Sequence, residues 1–153
     1  TNSILSPTKN IDEEIEIENL IINLGYSYTN SNNLDLAERF YLNAHEKLGG
    51  CESLLCELYI EHLKDYTKAI PFVDKLLNKK PFQFSTWLHG MTYQSFLKLE
   101  SGSIAEGKKL LAEIFESIPT SRKEYSNQVF ETLQHLSVEK LKGELFTKYK
   151  KWQ

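Results

Sequence analysis

The residues that could do chemistry are four histidines, two cysteines and a crowded run of carboxylates. His62 stands three residues before Asp65, His45 precedes Glu46, and His89 and His135 sit apart. A metal centre built on helices needs ligands about one turn apart, repeated on partner helices, and these positions provide no such set. They read as surface or packing histidines, with no metal and no other cofactor implied. Cys51 and Cys56 lie five apart on one predicted helix, hence on different faces, where they cannot bridge each other. Free thiols suit a reducing cytosol, and no base is arranged beside either one. Asp12, Glu13, Glu14, Glu16 and Glu18 crowd one helix, but nothing apolar isolates a pair whose pKa values could be driven apart for acid-base work. A solvated acidic face is expected there. The seven scattered glycines form no phosphate-cradling loop. Nothing in these residue types and spacings points to an enzyme.

Helices must carry all of these side chains. From Ile11 onward, Ile17, Leu20, Ile21, Leu24 and Tyr28 fall on one helical face, and the polar run Thr29 to Asn33 stops the pattern. Asp35 opens a second segment with Leu36, Phe40, Tyr41, Ala44 and Leu48 on its stripe, closed by Gly49 and Gly50. The same construction predicts helices near 52–64, 66–79, 83–99, 103–117, 121–136 and 138–151. Ser121 with Glu124 three residues on reads as a capping box. Pro71 inside the fourth segment predicts a kink or a late helix start, because it lacks a backbone donor and crowds the preceding turn. No alternating β-branched run is bounded by hairpin turns. The expected fold is all-α, with about eight helices stacked as antiparallel hairpins, preceded by a flexible lead-in at 1–10.

Length and charge bound the rest. A chain of 153 residues that is 41% apolar can bury one ordinary core, so a single domain over 11–153 is expected. The net charge of −3 leaves no footprint for generic nucleic-acid binding, yet the distribution is uneven. Residues 1 to 61 hold 11 acids and 3 bases, whereas 62 to 153 hold 10 acids and 15 bases. This is the pattern of two solvated faces or of an electrostatically matched partner. No stretch approaches the 18 apolar residues of a membrane span, and the polar opening TNSILSPTKN lacks the regions of a signal peptide, so a cytoplasmic chain is expected. The ending KYKKWQ invites a membrane or nucleic-acid reading, but it is short, and Trp152 is expected to fold back on the last helix pair.

The first hairpin carries a further pattern. Leu24-Gly25, then Tyr28, Ala37, Tyr41 and Ala44 fall at the spacing of a tetratricopeptide repeat, a helix-turn-helix unit of about 34 residues. Asp65-Tyr66, Ala69, Val73 and Pro81 follow the second half of the same pattern, although Glu57 stands where glycine is usual. Gly90, Tyr93, Gly107, Leu111 and Pro119 give a third unit if about five extra residues are allowed around Glu100 to Ser103. The chain therefore resembles the tetratricopeptide family over about 18–119, as three degenerate repeats, with 121–151 as a capping pair.

That resemblance implies a short α-solenoid whose first helices line a concave groove. It assigns Ile22, Tyr26, Thr29 and Asn30 to the groove from the first unit. From the second come Leu54, Leu58, Glu61 and His62, and from the third Trp87, Met91 and Gln94. Ile22 and Tyr26 occupy positions where chaperone-adaptor members hold a carboxylate with Lys and Asn, so an extended partner segment presenting apolar side chains fits better. Trp87, Tyr26 and Met91 are the expected anchors. The implied function is a non-catalytic adaptor or chaperone binding a protein or peptide, with no nucleic acid and no membrane. Two alternatives stand beside it: an immunity or inhibitor protein blocking a toxin or enzyme, and a structural fragment of a longer repeat protein.

Overall fold

The apolar spacing of the first segment yields α1 (Ile11–Asn30), with three acids in its first turn, where they complement the helix dipole. The computed structural model describes residues 11–153, and the lead-in expected at 1–10 lies outside them. Asn32 takes a left-handed φ of 61°, and α2 (Leu34–Leu48) runs back along α1. Their close approach is set by one missing side chain. A Cβ on Gly25 would lie 2.1 Å from the Tyr41 hydroxyl oxygen, so the Tyr41 ring occupies space that any other residue would fill. Ala37 is buried on the same helix as Tyr41, and Phe40 meets Tyr28 edge-on at 5.9 Å.

Gly49 and Gly50, both at positive φ, make the turn into α3 (Glu52–Glu57). The predicted helix over 52–64 is only half regular. At Leu58–His62 the chain widens into a π turn, in which the Leu63 N–H donates to the Leu58 carbonyl at 2.8 Å. α4 (Tyr66–Leu77) follows and contains Pro71 with its ring exposed, so the helix starts before the proline and not after it.

The described residues divide into two compact units at the Phe72–Val73 bond, within α4. In the second unit, α5 (Phe84–Glu100) is buried along much of its length and packs on α6 (Ile104–Glu116) and α7 (Lys123–Leu133). Gly107 abuts Leu99 as Gly25 abuts Tyr41. The capping box expected at Ser121 does not form. Arg122 donates to the Pro119 carbonyl in a turn, α7 begins two residues later than expected, and the Glu124 carboxylate pairs with the Arg122 guanidinium. Glu100 instead accepts from both the N–H and the hydroxyl of Ser137, fixing the connection to α8 (Glu139–Lys148).

The chain ends in a short 3₁₀ turn, Lys150–Trp152, that is tied down. The Trp152 indole donates to the Ile118 carbonyl at 2.8 Å, and Ser126 donates to the Trp152 carbonyl at 2.8 Å. Phe115 stacks on Tyr149 at 4.0 Å and meets Trp152 at 5.2 Å. The aromatic part of KYKKWQ thus belongs to the core of the second unit. Eight α-helices and no strand occur among the described residues, so the fold is all-α.

Candidate functional site

Ile22, Tyr26 and Asn30 recur every four residues and share one face of α1, with Thr29 beside them. Ile22 and Thr29 are half-buried, while Tyr26 and Asn30 are exposed. In the next helix the expected groove residues separate. Leu54 and Glu61 are half-buried, His62 is exposed, and Leu58 is only 1% exposed. Leu58, Glu61 and His62 lie within the π turn and Leu54 precedes it, so their directions relative to Leu54 depart from regular helix geometry. In the second unit, Trp87 is half-buried and 5.7 Å from Phe84, which meets Tyr125 edge-on at 5.0 Å. Gln94 is half-buried and Met91 is 7% exposed. Leu58 and Met91 therefore support their neighbours from within and offer a partner almost no surface.

Sequence reasoning missed the most open apolar feature. Ile17, Leu20, Ile21, Leu24 and Tyr28 share the one apolar face of α1 that the spacing predicts, yet Leu20 is 58% and Leu24 41% exposed on it. Between this stripe and Phe40, Ala44 and Leu48 of α2 lies an open furrow of about 270 Å³. Asn43 and Lys47 add its polar margin. At 100° per residue, the furrow and the Ile22, Tyr26, Asn30 face are on opposite sides of α1. Period alone could not show it, because an apolar stripe of ordinary width stays open where the packing leaves Leu20 and Leu24 uncovered.

The polar clusters are structural in kind. Tyr59 donates to the Glu38 carboxylate at 2.7 Å, and Lys68 reaches the same oxygen at 3.1 Å. Burial pushes the Glu38 carboxyl up, but the hydrogen bonds from Tyr59 and Lys68, with the charge of Lys68, outweigh it and hold the group below the ordinary carboxylate value. The His45 ring accepts from the Cys51 N–H at 3.3 Å and stands 3.9 Å from Glu52, anchoring the glycine turn between α2 and α3. Both cysteines are buried and unbridged. Burial, with the nearby charge of Glu52, pushes the Cys56 thiol up to about 12, so no thiolate nucleophile is available there at neutral pH.

Among the described residues, no group of three or more His, Cys, Asp or Glu side chains could hold a metal ion. No helix among them is long and apolar enough to cross a membrane. No family model, curated protein or solved structure matches the chain.

Proposed function

We propose that this chain is a non-catalytic, cytoplasmic protein-binding module, an adaptor or chaperone built from tetratricopeptide-like helical hairpins. One observation carries the reading. Of the nine exposed large apolar side chains among the described residues, six belong to α1 and α2: Ile15, Leu20, Leu24, Tyr26, Leu36 and Leu42. Scattered exposed apolar residues need no explanation, but Leu20 and Leu24 lie together on the side of α1 that opens onto the furrow, and an open apolar patch of that kind is the pattern of a surface that another protein covers. Gly25 beneath Tyr41, and buried Ala37 and Ala69, agree with the small-residue positions of the resembled family. The acidic side chains of α1 favour a second reading, an inhibitor that meets a folded basic partner and releases it in salt.

The test is affinity capture from the source organism's lysate at low and high salt, followed by calorimetry with the purified partner. A discrete protein that binds again with purified components, and is lost when Trp87→Ala is combined with Tyr26→Ala at unchanged helicity, is the expected result. Failure to retain any protein under either condition would remove the binding reading.

A further inference from the structure

We propose that the furrow between α1 and α2 is the docking site for a basic amphipathic helix of a partner protein. This rests on the protein-binding reading and gives it a different surface from the groove face of Ile22, Tyr26 and Asn30. The apolar floor, Leu20, Leu24 and Phe40 among its residues, is open over about two turns of α1. Two antiparallel helices leave a channel that accepts the ridge of a third helix. No strand occurs among the described residues, so an extended segment would find no sheet edge to extend here, whereas a helix brings its own backbone hydrogen bonds.

Charge selects the occupant. Glu14 lies one turn before Ile17 on the furrow's own row, and Glu16 and Glu18 fall to either side of it. Lys47 is the one cation among the described residues that line the furrow. Over residues 11–72 the acids outnumber the bases by twelve to four. Such a field draws in a helix with Lys or Arg flanking its apolar stripe and repels an acidic one.

The probe is a fluorescein-labelled peptide of about 18 residues with leucines at helical i, i+3, i+4, i+7 spacing and lysines elsewhere, followed by anisotropy. Two controls are a scrambled peptide of the same composition and one with glutamate replacing lysine. The lysine peptide should bind at least about tenfold tighter than either control and weaken severalfold between about 50 and 300 mM salt. Leu20→Glu with Leu24→Glu should reduce its binding about tenfold or more at unchanged helicity, since both side chains are already exposed. Glu14→Lys with Glu16→Lys and Glu18→Lys should weaken it at low salt. Equal binding of all three peptides, or no effect of the leucine changes, would overturn the proposal. So would a dimer of this chain abolished by the leucine changes, or probe binding that appears only after residues 1–10 are deleted. If a captured partner is lost with Trp87→Ala and Tyr26→Ala but held by the leucine variant, the furrow proposal falls and the binding module stands. If neither wild type nor variant retains a protein, the module reading falls with it.

Discussion

The two compact units spend their apolar side chains differently. Residues 73–153 close aromatic rings on one another: Phe115 is surrounded by Phe130, Tyr149 and Trp152, and Phe130 meets Phe146 at 5.2 Å. Residues 11–72 leave the outer stripe of α1 in solvent while burying Tyr41 and Tyr59. The first unit is also strongly acidic, whereas the second holds thirteen bases against nine acids. The contrast teaches that one compositional class of helix can serve two ends. The stripe of α1 keeps Leu20 and Leu24 exposed although α2 packs beside it.

The largest break in this comparison comes from Phe115→Ala, which should cost about 3–5 kcal/mol, because a fully buried ring leaves a cavity that its stacked neighbours cannot collapse into. Denaturant unfolding measures it, and the expected transition is single and shifted as a whole, since α4 runs unbroken across the Phe72–Val73 bond. Two separate transitions would make the units independent and end the single-domain expectation. Gly25→Ala should cost about 1–3 kcal/mol by forcing Tyr41 away from α1, and a hydrophobic dye should bind more strongly as the hairpin loosens. An unchanged midpoint would mean that the Tyr41 ring rotates aside freely.

The smallest expected effect is that of Glu38→Gln, about 1–2 kcal/mol at neutral pH, from the loss of a charged acceptor for Tyr59 and Lys68. The Glu38 carboxyl is held below its unfolded value of 4.5, so its contribution is present above that pH and lost as pH falls through the lowered folded value. Wild type and variant should therefore converge in acid. A gap that persists well below the carboxylate range would place the effect in packing and not in charge.

The helices were legible because apolar period and glycine or proline punctuation are local signals, and every predicted segment has its counterpart among α1 to α8. What escaped depends on distant parts of the chain. Ser121 and Glu124 have the spacing of a capping box, yet Arg122 takes the carboxylate. The π turn at 58–62 has no signature in residue type, and it disturbs the register on which any groove assignment for Glu61 and His62 depends. The resemblance to tetratricopeptide repeats assigns Leu58 and Met91 to the groove, but both are buried, because burial is decided by what packs against a face. The furrow was hidden for the same reason, since its residues were indistinguishable from core.

Both tryptophans, Trp87 and Trp152, fall after Phe72, and both cysteines fall before it. Indole emission is thus a reporter of one unit, with Trp152 sensing the release of its bond to Ile118. Thiol labelling reports the other, since Cys51 and Cys56 become reactive only when the helices around them open. The native chain therefore carries a separate reporter in each unit, the indoles in residues 73–153 and the thiols of Cys51 and Cys56 in residues 11–72, so opening around α3 can be followed by labelling without engineering a residue.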